Sequence, residues 1–522
     1  MPSTSSLVKD SYYKTSMIEI LDTTLRDGEQ TQGVSFSARE KMDIARSLLT
    51  EVRVDRIELA SALTTRQEQE CVRRIVRWAH ANNCENRLEV LGFVDIDRSA
   101  QWIKDSGCKV MNLLCKGSLR HVEGQLGKTA QQHIDDVRNT VLAATGMGLS
   151  VNAYLEDWSN GMSQSREYVM SLTRALTSLP VKRIMLPDTL GILNPQNTYE
   201  FCRIMLETFP DVHFDFHAHN DYELAVANTY SAVRAGVCGV HTTVNGLGER
   251  AGNASLASVM AVVRDQLDQR LNADESCITR LSRLVEMDSG IRIPQNKPIV
   301  GQNVFTQCAG VHADGDAKDG LYTGALLPER FGRIREYALG KNSGRASVRK
   351  NLEAMGIELD DESMLKVTQR IVELGDKKEQ LTQDDLPYIV SDVLHHDSEH
   401  EQRIRILNYS LMLAQGLRPQ ATVMIEIDGQ AYQDSASGDG QYDAFVRALR
   451  KIYASLDKPF PVLTDYTVSI PPGGRTDAFV QTIISWNLNG QDFRTRGLDA
   501  DQTEAAIKAT LKMLNKIEND KE

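Results

Sequence analysis

Eight short β-rich runs alternate with helix-like segments through roughly the first half of the chain, and few folds accept that rhythm. The runs are 17–23, 56–61, 87–95, 109–115, 149–157, 183–189, 212–219 and 239–248. Between the first two, Ser37 followed by Glu40 makes a capping-box pattern, and Met42, Ala45, Leu48 and Leu49 recur at helical spacing. Eight strands alternating with helices predict an α/β fold, a closed (β/α)8 TIM barrel. An open doubly wound sheet is the alternative, but the glycine fingerprint of a dinucleotide fold is missing after the first run. Barrel active sites lie at the C-terminal ends of the strands. The polar residues of this chain gather there: Asp27, Asp95, Glu156 with Asp157, Asp188 with Thr189, His217 with His219, and Asn245 onward.

A chain of 522 residues exceeds one core, so two to four domains are expected. Residues 1–16 read as a polar segment without the apolar stretch of a signal peptide. Residues 17–285 form the barrel. The alternation then stops, and 286–394 read as linker subdomains, glycine-rich and mobile over 295–345 and helical over 346–394. Residues 395–402 (His395, His396, Asp397, Ser398, Glu399, His400, Glu401, Gln402) read as a solvated linker with no rigid frame to orient a metal site. Residues 403–522 form a second, α+β region. A strand over 422–427 and a helix over 442–454 are echoed by a strand near 478–487 and a helix over 502–516, a weak internal duplication with a turn at Pro471-Pro472-Gly473-Gly474 between its halves.

The net charge of −12 argues against a nucleic-acid or anionic-membrane partner, although a local basic pocket for a phosphate-bearing cofactor is compatible with it. No apolar run reaches the length of a membrane span. The eight cysteines include no CxxC pair and read as reduced thiols, which places the protein in the cytoplasm.

His217 and His219, two residues apart on a strand, face the same way. Two such imidazoles with a carboxylate, for which Asp27 is the candidate, make a site that holds a divalent ion and leaves positions open for substrate. Asn253 can add an oxygen. Non-haem iron oxygenases use the same ligand types, but there HxD comes first, on a β-jelly-roll. The competing structural reading is a barrel whose histidines are satisfied by hydrogen bonds. Arg26 beside the carboxylate suits a developing enolate or oxyanion; its plain alternative is an ion pair with Glu29 or another strand-end acid. Glu156 can act as a general base or as one half of a strand-end ion pair.

Four stretches, TLRDGEQ (24–30), LPDTLG (186–191), HAHND (217–221) and NGLGERAGN (245–253), together with Gly310-Val311-His312-Ala313-Asp314-Gly315, resemble the acetyl-CoA-dependent 2-oxo acid Claisen synthases, a family of 2-isopropylmalate, citramalate and homocitrate synthases. The resemblance covers essentially the whole chain. It implies a divalent metal (Mn, Mg or Zn) on Asp27, His217 and His219, a 2-oxo acid polarised by metal and Arg26, and Glu156 as the base that takes a methyl proton from acetyl-CoA. It implies that His312, Asp314 and Tyr322 close over the site, His312 and Tyr322 as catalytic groups, with Thr189 and Asp314 among the substrate contacts.

In the family, the positions of Leu91, Leu114 and Tyr154 face the substrate's R group. They offer no cation for a second carboxylate, which disfavours 2-oxoglutarate, and their bulk suits a methyl better than an isopropyl. LLCKGS (113–118) and YLEDWSNG (154–161) look most like the citramalate synthases. The expected substrate is therefore pyruvate and the expected product (R)-citramalate, on the way to isoleucine. A methylene in an apolar pocket decides only about 1–3 kcal/mol, so 2-isopropylmalate synthesis is the alternative; plain barrel packing is the structural reading of the three residues.

The C-terminal region resembles the amino-acid-binding regulatory domain of these synthases. That implies a homodimer and inhibition by an end product such as isoleucine. The turn Gly438-Asp439-Gly440 would offer its N–H groups to a carboxylate, or Asp439 would merely cap the helix. Two other classes compete with this reading. Acyl-CoA lyases of the superfamily carry a cysteine in the loop occupied here by Gly248-Glu249-Arg250-Ala251-Gly252, and they lack the tail. A non-catalytic amino-acid sensor would not need Arg26, Asp27, Glu156, His217 and His219 intact.

Overall fold

The computed structural model describes residues 17–307, 324–354, 357–376, 381, 386, 389–390, 393, 403–469, 480–499 and 501–519. The described residues divide into two compact units, one over 17–307 with 324–336 and the other from 337 onward.

The first unit is the expected barrel. Eight parallel strands close in sequence order: β1 (Glu19–Asp22), β2 (Arg56–Ser61), β3 (Leu88–Phe93), β4 (Val110–Lys116), β5 (Ser150–Glu156), β6 (Val181–Asp188), β7 (Phe214–Ala218) and β8 (Gly239–Thr242). Closure sets Ile20 beside Val240 and Leu21 beside Arg56. The capping box at Ser37 forms as expected and opens the helix Ala38–Arg46. The last run is shorter than its sequence suggests. The chain leaves β8 at Thr242 and turns through Val244–Gly246, where Asn245 takes φ 59°.

Alternation sorts each strand's side chains between two environments. Ile20, Ile57, Leu59, Val90, Leu113, Val151, Phe214 and Phe216 join the main core with residues of the surrounding helices. Leu21, Leu91, Tyr154, Met185 and the half-buried Leu114 form a separate apolar cluster. Near the N-terminal ends of the strands lies an ionic floor. Arg56 reaches Asp215 at 2.6 Å and Glu89 at 3.1 Å, and Arg183 reaches Glu19 at 2.7 Å. Gly239 lies beside Asp215 in the β7–β8 register. A Cβ there would come within 2.0 Å of Asp215 Oδ1, so the floor depends on glycine at this position.

The second unit holds two helices, Arg345–Ala354 and Asp361–Asp376, with Val348, Leu352, Met364, Val367 and Ile371 in their shared core. Beyond them a βββα module occurs twice. Strands Ile404–Met412, Gln420–Ile427 and Gln430–Ser437 precede helix Gln441–Ser455; strands Val462–Ser469, Val480–Leu488 and Gln491–Asp499 precede helix Gln502–Asn519. The duplication read from the sequence is therefore real, but four of its six strands were not visible. The missing four are the outer strands. Gln430–Ser437, for example, is a half-exposed polar edge with no apolar alternation, whereas the central Gln420–Ile427 buries every second residue.

Among the described residues, no disulfide joins any two of the seven cysteines. No helix among those residues is long and apolar enough to cross a membrane.

Gly239→Ala should destabilise the barrel by about 1–3 kcal/mol through overpacking against Asp215. Gly146→Ala, with open space at the end of the helix Ala130–Gly146, should be neutral or stabilising by up to about 1 kcal/mol. Urea unfolding of the two variants checks the contrast, and equal midpoints would contradict it.

Candidate metal centre and active site

The chain turns sharply after β1. The amides of Asp27 and Gly28 both donate to Thr23 O (2.8 and 3.1 Å), which leaves Arg26 and Asp27 at the C-terminal mouth of the barrel. β7 delivers His217, and His219 follows in a bridge with Asn253. The ligand atoms of Asp27, His217 and His219 all lie within 4.8 Å of one another. Asp27 Oδ2 is 3.2 Å from His217 Nε2 and 3.9 Å from His219 Nε2.

These groups are buried, and among the described residues Asp27 Oδ2, Asn253 Oδ1 and the Nδ1 atoms of both histidines have no hydrogen-bond partner. Asn253 spends its Nδ2 on Leu247 O (2.9 Å), which leaves its oxygen over. Orphaned buried polar atoms are costly. A carboxylate, two imidazoles and an amide oxygen together are a donor set that fits a divalent cation. Burial opposes ionisation of Asp27, but Arg26 and then His217 and His219 outweigh it and hold the carboxyl well below the usual carboxylate range. Burial pushes His217 down and His219 down to about 4. Carboxylate and neutral imidazole are the protonation states a metal needs.

Arg26 is held from beneath. Its Nε donates to Glu58 Oε2 at 2.6 Å. The fully buried Glu58 also accepts from Asn112 Nδ2 (2.7 Å), and Asn112 Oδ1 accepts from Asn152 Nδ2 (2.9 Å). One line of polar groups from β2, β4 and β5 thus fixes the guanidinium, with Nη1 3.5 Å from Asp27 Oδ2 and Cζ 5.9 Å from the centre of the Tyr154 ring. The suggested ion pair with Glu29 does not form. Glu29 is taken by the buried Lys41 at 2.6 Å.

Glu156 ends β5 and pairs with Lys116 at the end of β4, its neighbour in the strand register. Next to it, Asp157 takes φ 65°, and its amide donates to Thr189 Oγ1 at 2.8 Å, tying the ends of β5 and β6 together. Leu91, Leu114 and Tyr154 meet in the one apolar cluster. Two strand-end acids serve local turns instead. Asp95 accepts from the Ser99 amide at 3.1 Å, and Asp188 accepts from the amides of Ile192 and Leu193, each at 3.0 Å. His312, Asp314 and Tyr322 lie outside the described residues.

In the second unit, the turn at Gly438-Asp439-Gly440 is already engaged. The Asp439 amide donates to Asp443 Oδ2 (2.8 Å), and its carboxylate pairs with Arg418 (3.0 Å) and Arg447 (3.4 Å). The residue at the helix N-cap is Gly440 and not Asp439.

Sequence reasoning missed Glu58, Asn112, Lys116, His241 and Arg250. Glu58 had a signal: in Arg56-Ile57-Glu58-Leu59-Ala60-Ser61, a carboxylate alternates with two aliphatic side chains in a buried strand. Arg250 had none. Its guanidinium grips Asp221 (2.7 and 3.0 Å) and Thr189 O (2.9 Å), joining three loops around the mouth.

The model of the HMGL-like family matches residues 17–285, that of the homocitrate synthase post-HMGL domain-like family 299–379, and that of the LeuA allosteric (dimerisation) domain 380–518. A protein of Methanopyrus kandleri, provisionally named (R)-citramalate synthase, is 35% identical over 90% of this chain and 89% of its own. A 2-isopropylmalate synthase of Pyrococcus furiosus is 33% identical over 96% of this chain and 99% of its own. An (R)-citramalate synthase of Methanocaldococcus jannaschii is 32% identical over 96% of this chain and the whole of its own.

The donor set predicts that saturating Mn(II) or Zn(II) stabilises the protein, by about 2.7 kcal/mol at a free concentration near 100 times the dissociation constant. His217→Ala should lose that shift and bind one cation fewer per chain. Equilibrium dialysis and melting curves that match the unsubstituted protein would refute the centre.

Proposed function

The chain belongs to the metal-dependent family of acetyl-CoA-dependent 2-isopropylmalate and citramalate synthases, and on that premise we propose that it condenses acetyl-CoA with pyruvate to give (R)-citramalate and CoA. The observation that carries the choice of substrate is the cluster of Leu21, Leu91, Leu114, Tyr154 and Met185 beneath the mouth. Its walls are apolar and bulky. Arg26, the cation over the Tyr154 ring, is already paired with Glu58, so a second carboxylate on the keto acid would find no unpaired cation there, which disfavours 2-oxoglutarate.

Asp27, His217 and His219, with Asn253 Oδ1 beside them, would hold a divalent cation, Mn, Mg or Zn. When bound, it supplies Lewis-acid polarisation of the keto group. Arg26, anchored by Glu58, donates to the oxygen on which negative charge develops as the new carbon–carbon bond forms. Glu156 takes the proton from the methyl group of acetyl-CoA, and the resulting carbon nucleophile adds to the keto carbon of pyruvate. Lys116 keeps the Glu156 side chain at the rim of the mouth. Water then cleaves the thioester and CoA leaves. Thr189 supports the substrate from the end of β6, and His312, Asp314 and Tyr322 complete the site.

The match to a LeuA dimerisation domain supports a homodimer. Isoleucine is the proposed feedback inhibitor, bound by the C-terminal modules, and the cytoplasm is the proposed compartment. The similar identity to 2-isopropylmalate synthases makes 2-oxoisovalerate the competing acceptor.

CoA release is to be followed with pyruvate, 2-oxoisovalerate and 2-oxoglutarate in parallel. Pyruvate should lead in kcat/KM by about 10-fold or more, and EDTA should abolish turnover. Preference for 2-oxoisovalerate would move the protein to isopropylmalate formation. Glu156→Gln should lower kcat by about 10²–10⁴. Glu58→Gln should lower kcat/KM about 100-fold while cation binding persists; unchanged turnover would show that Arg26 needs no anchor.

A further inference from the structure

A second line of buried polar groups runs through the barrel, and neither the metal centre nor the anchoring of Arg26 uses it. Arg56 on β2 donates to Asp215 Oδ2 on β7 at 2.6 Å. The same oxygen lies 3.2 Å from His241 Nε2 on β8. His241 Nδ1 lies 3.1 Å from the hydroxyl of Tyr154 on β5. An ionised carboxylate can only accept, so Asp215 places the His241 proton on Nε2. Nδ1 is then the acceptor, and the Tyr154 hydroxyl donates to it. Asp215, His241 and Tyr154 are all buried.

The line ends on the ring that walls the proposed keto-acid pocket. The Tyr154 ring stands edge-on to His217, with centroids 6.3 Å apart at 88°, and lies beneath Arg26. Its other neighbours in the cluster are the apolar side chains of Leu21, Leu91, Leu114 and Met185. These pack well against a ring in more than one pose, because apolar contact has no direction. The hydroxyl does have one. If the ring swings, the O–H loses the acceptor it has on His241. A network of charged and polar groups is no more stabilising than an apolar filling of the same volume; what it adds is a fixed position.

We propose that His241 is a positioning residue for substrate selection: through the Tyr154 hydroxyl it fixes the ring that limits the size of the acceptor's R group. This rests on the reading of Tyr154 as a pocket wall. His241 touches no substrate.

The readout is the ratio of kcat/KM for 2-oxoisovalerate to that for pyruvate, with melting temperature and cation stoichiometry measured alongside. Tyr154→Phe deletes only the hydroxyl. His241→Gln removes the acceptor at the Nδ1 position but keeps a partner for Asp215. Each should raise the ratio about 10-fold, and the double variant should raise it no further than either single one. His241→Asn, which restores an acceptor near the Nδ1 position, should return the ratio toward that of the unsubstituted protein. A merely structural role would lower turnover with both keto acids equally. An unchanged ratio in folded Tyr154→Phe and His241→Gln overturns the proposal. Tyr154→Ala separates the two readings. If it leaves the ratio unchanged, Tyr154 is no wall; if it shifts the ratio while the His241 variants do not, the wall stands and the positioning role falls. Should His241→Gln fail to fold, Tyr154→Phe decides alone.

Discussion

Closure of β1 onto β8 encloses a narrow interior, where a polar group either finds its partner on another strand or, at the mouth, is left over for a ligand. That constraint accounts for most of what lies inside the barrel. Arg56 at the floor satisfies Asp215 and Glu89, while Glu58 higher up satisfies Arg26 and Asn112. Between them lies Tyr154 of the Leu21, Leu91 and Met185 cluster, its ring under Arg26 and its hydroxyl on His241, which Asp215 holds in turn. A buried charge without a partner costs several kcal/mol, so each set holds its members in place.

The electrostatics of the mouth follow from the same constraint. Arg26 is flanked by two carboxylates. The closer, Glu58, accepts its Nε hydrogen at 2.6 Å, while Asp27 stays 3.5 Å from Nη1. Glu58 therefore does most to neutralise the guanidinium. The charge of Asp27 is left facing two imidazoles that burial keeps neutral. A buried carboxylate, uncharged nitrogen donors and a spare amide oxygen are what a divalent ion would balance. In the proposed reaction the same arrangement keeps Arg26 available to the substrate oxygen.

Much of this was legible before any coordinates. Strand periodicity announced the barrel, and the spacing of His217 and His219 announced a shared face. Glu156 was placed at a strand end correctly. The partners were another matter. Arg26 has an acid three residues away, yet its guanidinium goes to Glu58, because Lys41 on the following helix claims Glu29. Asp95 and Asp188, equally prominent at strand ends, are consumed by the turns that follow them. The outer strand Gln430–Ser437 was invisible for a different reason: it is a polar, half-exposed edge that carries no apolar alternation to read.

By itself, then, the sequence determined the order of strands and helices, which residues share a strand face, and which strand ends carry polar groups. These are local matters, decided by the two-residue repeat of a strand and the 3.6-residue repeat of a helix. Tertiary structure alone decided that Arg26 meets Glu58, that Lys116 meets Glu156, and that Tyr154 on β5 reaches His241 on β8 across the interior. Those pairings depend on the register between strands and on the closing of the barrel, and both are set by the packing of the whole domain at once and by no short stretch of it.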